Sequence, residues 1–242
     1  MSPSMPDTTS PEELMAVLCA REIRNGERFG VGVESPIPMV GALLAMRLSA
    51  PSAINVSRSL PGGPLLFGSH EFTSLAQRGK VGLFFLSAVQ IDEHANINLQ
   101  YIVRNGTKKS FMGAFAAPIY YSVVKRIVLF RAEHSPRVFV KKVDCVTAAG
   151  RAGRRERRIG GPSKIITSRA VLRIDPLNGA IELESFHPGE SPDTACEATG
   201  FPLRVASDVH ETPALSEAEA RELRDFVYPK LGPSTIPWLA DR

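Results

Sequence analysis

The strongest constraint on this chain is the run Val81-Gly-Leu-Phe-Phe-Leu86, which has no polar side chain and is followed by the polar, turn-rich stretch Gln90–Asn98. An unbroken apolar run of that length reads as a strand covered on both faces, as in a parallel sheet packed between helices. Ligands of such sheets sit outside the carboxyl ends of the strands. Chemistry is therefore expected first in the segment after Leu86.

The flanking sequence supplies the helices. Ser10-Pro-Glu-Glu13 has Ser as N-cap, Pro at the first helical position and Glu three residues after the cap, which predicts a helix running to Arg24 and ended by Asn25-Gly26. Strands are expected at 29–33, 54–56, 126–130, 138–146 and 203–206, and helices at 38–48 and 71–77. Pro61-Gly-Gly-Pro64 reads as a break and 99–118 as irregular. Ala170–Ile174 and Ile181–Ser185 flank the turn Asp175–Gly179, a hairpin pattern. A short helix is expected from Ser191 and a last one from the Ser216–Glu219 capping box. The expected fold class is α/β: a Rossmann-like, doubly wound, mostly parallel sheet with an antiparallel edge hairpin. Residues 1–9 read as a disordered N-terminus, 10–230 as one domain and 231–242 as a tail.

With 43% hydrophobic residues the chain has enough for a sizeable core, and a net charge of +4 does not by itself argue for nucleic acid. Cys19, Cys145 and Cys196 are far apart and lack metal-ligand spacing, so they read as reduced thiols. The histidines at 70, 94, 134, 187 and 210 show no ligand spacing either, so no metal site is expected. No apolar run is long enough to span a bilayer and the first residues do not resemble a signal peptide, so a cytoplasmic protein is expected.

Gln90-Ile-Asp92 followed by Asn96-Ile-Asn98 resembles the Gln-Val-Asp-x-x-Gly-Asn-x-Asn signature of family I CoA-transferases, specifically glutaconate-type β subunits. Ser135–Val140, Asp144–Thr147, Phe186-His-Pro-Gly189 and Glu211–Glu219 match in order, so the resemblance covers roughly Glu12 to Val227. It implies the CoA-transferase fold and a homologous α subunit as partner, in a heterodimer or heterotetramer. It also implies a coenzyme A thioester as substrate, with no permanently bound cofactor.

The resemblance places a nucleophilic glutamate just after the second strand, where the carboxylate forms an anhydride and then a glutamyl-CoA thioester. The matching position here is Arg58, whose guanidinium stays protonated, and no acid occurs between Met39 and His70. A glycine-rich turn is replaced by Gly113-Ala-Phe-Ala-Ala-Pro118; Ala95 and Ser87 stand at two further family glycines. Relatives that lack the glutamate and hydrolyse CoA thioesters, opening carbocyclic rings in steroid catabolism, are the branch these departures favour. The alternative is a non-catalytic partner that completes the site of a catalytic α subunit.

The catalytic candidates are Glu34, Glu71 and the Arg58 position. Glu34 follows the first strand at the sheet's carboxyl edge, though a first-turn acid answering a helix dipole is the plainer reading. Glu71 begins a helix. Candidates for substrate binding are Ser87, Gln90, Asp92, Asn96, Asn98 and Gly113; the Asx residues equally suit a loop that bonds its own backbone. The arginines at 151, 154, 155, 157 and 158 read as a solvated loop, or as a grip on CoA phosphates. His94 is the better acid/base candidate among the histidines, with His187 a turn residue. The aromatic segment Phe111–Tyr121 is expected to be irregular and to form an interface core.

Overall fold

The computed structural model describes residues 9–57, 69–150, 158–175 and 178–239. Arg58, the Pro61–Pro64 break, arginines 151–157, Pro176-Leu177 of the hairpin turn and most of the N-terminal segment lie outside them. The first half alternates helix and strand: α1 (Pro11–Glu22), β1 (Arg28–Val31), α2 (Pro36–Leu48), β2 (Ile54–Asn55), α3 (Ser69–Gln77) and β3 (Leu83–Leu86). Short strands follow: β4 (Gln90–Asp92), β5 (Ile97–Asn98), β6 (Tyr101–Arg104) and β7 (Thr107–Ser110). Then come α4 (Ala117–Val123), β8 (Arg126–Arg131), β9 (Phe139–Val140), β10 (Pro162–Thr167), β11 (Ala170–Ile174) and β12 (Ile181–Phe186). The chain closes with α5 (Pro192–Glu197), β13 (Arg204–Glu211), α6 (Glu217–Glu222) and α7 (Tyr228–Leu231), the last two joined through a π turn.

The apolar run becomes β3, near the middle of an eight-stranded sheet of order β13-β12-β11-β10-β8-β3-β1-β2. Pairings from β2 through β10 are parallel, and β11 runs antiparallel to both its neighbours. The expected hairpin, β11-β12, lies one strand in from the edge, because β13 adds alongside β12 in parallel. Successive residues of β3 enter opposite cores. Leu83 and Phe85 pack with α1 and α2, while Phe84 packs with α3 and α4. Ile127 and Leu129 of β8 alternate with Val128 and Phe130 in the same way. This two-sided burial is why the run shows no polar alternation.

Both predicted capping boxes and the one at Ser191 are formed, with Ser10, Ser191 and Ser216 each accepting from the backbone N–H three residues on. Gly41 lets α2 cross α1 closely, since a Cβ there would collide with the Ala16 carbonyl oxygen.

Three expectations need correction. Residues 99–118 are only partly irregular: Tyr101–Ser110 is an antiparallel hairpin, pinned by the Val103 N–H donating to Asp144 Oδ2 at 2.8 Å, while 111–116 carry no regular element. Of 138–146 only Phe139–Val140 is strand, because that segment pairs with β4 rather than with the main sheet. Strand β10, which begins just after the basic arginine stretch, was missed; Pro162 and Ser163 hid the Ile165-Ile166 core pair.

Candidate active site

Gln90–Asn98 folds as a tight hairpin, β4 against β5, with β9 beside it. Its polar residues are occupied within the fold. Asp92 accepts from the backbone N–H groups of His94 and Asn96 and from Asn96 Nδ2, each at 3.0 Å. Asn96 Oδ1 accepts from Gly150 N. Asn98 Nδ2 donates to Gln90 Oε1 and to the Tyr101 carbonyl, and Gln90 Oε1 also accepts from Asp144 N. Ala95 has φ +55, the left-handed value a glycine would take, and its carbonyl accepts from the buried Tyr121 hydroxyl at 2.7 Å. The structure thus brings Gln90, Asp92, Asn96 and Asn98 together as the wiring of a platform. None of the four lines the neighbouring cavity.

That cavity lies at the carboxyl ends of β1, β2 and β3. It has a volume of about 630 Å³ and is walled by residues 31–35, Val56, Ser57, Phe72, Phe84, Leu86, Ser87, Leu99, Met112, Gly113, 115–117 and Tyr120. Its size falls within the roughly 300–1,000 Å³ usual for small-molecule sites. Three rings from separate elements form one wall: Phe72 and Tyr120 with centroids 4.7 Å apart, and Phe84 at 5.3 Å and 5.0 Å from them. Gly30 makes room for this wall, since a Cβ there would stand 2.6 Å from the Phe84 ring. Burial pushes the Tyr120 phenol up, opposed by its hydrogen bond with Thr73. Leu99 is fixed from behind by its N–H to Thr147 Oγ1, so the Asp144–Thr147 motif positions both the cavity wall and the adjoining hairpin.

Of the expected site residues, Glu34, Ser87 and Gly113 meet here. Glu34 is the only charged lining residue among those described. It is exposed and sits at φ +52, a left-handed conformation costly for a side chain with a Cβ. Pro36 and Pro38, on the first turn of α2, fix the chain that follows. Glu71 is half-buried in the first turn of α3 and does not line the cavity.

Sequence reasoning missed Ser57, which does line it. Its Oγ donates to Asn55 Oδ1 at 2.7 Å and accepts from Val31 N at 3.0 Å, tying the ends of β1 and β2 together. The signal was adjacency to position 58. The three-ring wall had no local signal, because its members come from α3, β3 and α4.

The segment 111–121 is only partly the expected surface. Tyr120 and Tyr121 are buried in this chain, whereas Met112 and Phe115 stand out at the cavity mouth, Phe115 being 82% exposed. His94 is exposed beside Glu93 in a smaller groove of about 380 Å³ that Arg204 also lines. His187 does open the turn before α5, its carbonyl accepting from Glu190 N–H at 2.9 Å, but its ring is buried, bonded to Thr212 Oγ1 and the Thr167 carbonyl. All three cysteines are free thiols. Among the described residues no three His, Cys, Asp or Glu side chains converge as metal ligands, and no helix is long and apolar enough to cross a membrane.

Fold and cavity together define a doubly wound α/β subunit with an acid-bearing apolar pocket at the carboxyl edge of its sheet. No protein-family model matches the chain. It is 30% identical to the β subunit of the 3-oxoadipate CoA-transferase of Pseudomonas knackmussii, over 89% of this chain and 92% of that one. It is 28% identical to the β subunit of the glutaconate CoA-transferase of Acidaminococcus fermentans, over 90% of this chain and 92% of that one. The crystal structure of that glutaconate enzyme superposes with a TM-score of 0.80 at 23% identity, covering 93% of this chain and 97% of the other. The decarboxylase AibA/AibB superposes with a TM-score of 0.77 at 22% identity, covering 90% and 94%. The chain belongs to the CoA-transferase family of enzymes, on the side of its β subunits.

Proposed function

We propose that this chain is the β subunit of a two-subunit enzyme that acts on an acyl-CoA thioester in the cavity beside Glu34. The observation that carries this reading is Glu34 itself: a carboxylate in a strained conformation, the one charged group among the described residues of the cavity wall. Strain of that kind persists where a site needs the side chain held in place. With arginine at the position matched to the family's nucleophile, the favoured chemistry is hydrolysis or C–C cleavage rather than transfer. Glu34 takes a proton from water, the oxygen adds to the thioester carbonyl, and the CoA thiolate leaves; alternatively it takes the proton of an activated carbon acid. The fold it shares with a decarboxylase makes C–C chemistry a natural neighbour.

The partner is a homologous α subunit, and the exposed Met112, Phe115 and Val33 at the cavity mouth are where it would close the site. Sedimentation of the chain alone and with that subunit tests assembly; a fully active monomer overturns it. Glu34→Gln in the assembled enzyme tests the chemistry, following CoA release and CoA transfer separately. Loss of turnover with intact assembly supports Glu34 as the base. Unchanged turnover moves the catalytic groups to the α subunit and makes this chain the non-catalytic partner. A glutamyl-CoA adduct trapped at Glu34 or Glu71 restores the transferase reaction.

A further inference from the structure

We infer that the hairpin of β6 and β7 is the arm that holds the phosphates of the bound coenzyme A, through Arg104, Thr107 and Lys109 on one of its faces. The inference rests on the acyl-CoA reading and adds the subsite for the nucleotide end of that ligand. CoA carries its phosphates at the far end of a pantetheine chain, so the groups that meet them stand off from the thioester. The hairpin is placed for this. Leu99, shortly before β6, and Met112, shortly after β7, both line the cavity. The base between them is closed by the Phe111 N–H donating to the Gln100 carbonyl at 2.7 Å and the Gly113 N–H donating to the Leu99 carbonyl at 3.3 Å. From that base two strands of 4 residues each carry the arm outward, with β7 exposed along its whole length. A strand of that length spans roughly 13 Å.

The charge of the arm is one-sided. Arg104, Lys108 and Lys109 are exposed and stand in a stretch, 96–132, that contains no Asp or Glu. The carboxylate bonded to the hairpin, that of Asp144, accepts from the Val103 backbone N–H. Directly opposed residues of an antiparallel pair share a face. The pairs Arg104↔Thr107 and Ile102↔Lys109 therefore put two cations and a hydroxyl on one face, with Arg104 and Lys109 as diagonal neighbours. Like charges held that close favour an anion between them. A guanidinium grips two phosphate oxygens at once, and the ammonium and hydroxyl add donors beside it. The other face is engaged within the hairpin: the Lys108 ammonium lies 4.0 Å from the centroid of the Tyr101 ring. Lys109 stands 5.6 Å from the Phe111 ring, a looser hold that leaves its head to a ligand. The turn is fixed by Asn105 and Gly106, both left-handed at φ +50 and +76, so the register of the two faces is set.

The test is calorimetric binding of two uncleavable thioethers to the assembled protein: butyl-CoA and butyl-pantetheine, which differ only in the nucleotide and its phosphates. Butyl-CoA should bind about tenfold tighter or more. Combining Arg104→Gln with Lys109→Gln should bring that preference down to about twofold, with butyl-pantetheine bound as in the wild type. Lys109→Gln alone should lower it about threefold, and Lys108→Gln, the same loss of charge on the opposite face, hardly at all. Equal losses from the two lysines, or an unmoved preference in the double variant, overturn the assignment. Equal binding of the two thioethers by the wild type overturns it too and leaves the acyl-CoA reading intact. If neither thioether binds, the acyl-CoA reading falls and the arm with it. Sedimentation of each variant with the α subunit separates a third outcome: loss of assembly makes the hairpin a docking surface and overturns its role as a phosphate arm.

Discussion

The two edges of the parallel sheet are built on opposite principles. At the amino edge a cluster of charges is paired within the fold. Arg126, at the start of β8, bonds Glu22 and Glu27, and Lys164 bridges Glu22 and Glu184, with all five side chains mostly buried. Burial opposes the charge on Lys164, but its two glutamates more than offset this and hold its pKa above the ordinary value. At the carboxyl edge over β1, β2 and β3 stand a strained Glu34, an apolar cavity and protruding Met112 and Phe115. The first edge is arranged for stability and the second gives some up, which is the pattern expected when a binding site occupies one end of a fold.

The carboxyl edge is itself divided. Beyond β8, β10 and β12 it is sealed by a buried polar chain. His134 bridges Thr167 Oγ1 and Thr199 Oγ1, and His187 bridges the Thr167 carbonyl and Thr212 Oγ1. Burial above all, helped by the positive charge of Arg169 and by His187, lowers the His134 pKa to about 4. His187 is also lowered by burial, against the Thr167 carbonyl and Glu190. The open half and the sealed half share one sheet, so the cavity's place depends on which strand ends the loops leave uncovered.

The largest expected effect is at the amino edge. Arg126→Ala strands the mostly buried Glu27 and leaves Glu22 with Lys164 alone, and should cost roughly 3–5 kcal/mol of stability, measured by denaturant unfolding, while activity per folded molecule stays near wild type. A fall in specific activity with unchanged stability would erase the distinction between the edges. The sealed half should respond to acid. An unfolded His134 protonates near 6.5, whereas the folded one refuses the proton until about pH 4. Its contribution of about 3 kcal/mol is therefore complete above pH 6.5 and lost as pH falls from there to about 4. His134→Gln should flatten that limb of a stability–pH curve; an unchanged slope would place the acid sensitivity elsewhere.

The open half is probed at one position by two variants. Glu34→Gln should lower turnover about 10²-fold or more, equivalent to about 2.7 kcal/mol of activation free energy, and leave the melting temperature in place. Glu34→Gly should lose the same activity yet gain roughly 0.5–1 kcal/mol, because glycine accepts the left-handed backbone, offset in part by its greater freedom when unfolded. Glycine failing to stabilise would mean that Glu34 gains enough from its neighbours to offset the strain, and the contrast between the edges would narrow.

Much of this arrangement was legible in the residues. The run 81–86 specified a two-sided strand, and three serines announced helix starts, because capping and burial are local demands on sequence. Glu34 was legible as a candidate because it follows a strand and precedes a proline-bearing helix. The signature loop was legible as a motif but not in its job. Asp92, Asn96 and Asn98 could equally have faced a ligand or their own backbone, and only the observed partners, Gly150 and Tyr101 among them, show that they face the fold.

The sequence by itself determined the class of fold, the family, and the edge of the sheet where the cavity opens, since each follows from periodicity, caps or motif order along the chain. Tertiary structure alone decided which residues make the wall. Ser57, Phe72, Phe84, Leu99 and Tyr120 come from five separate segments, and no spacing along the chain relates them. Their meeting is fixed by the order of strands in the sheet and by which helix covers which face. These long-range properties arise only when the whole core closes.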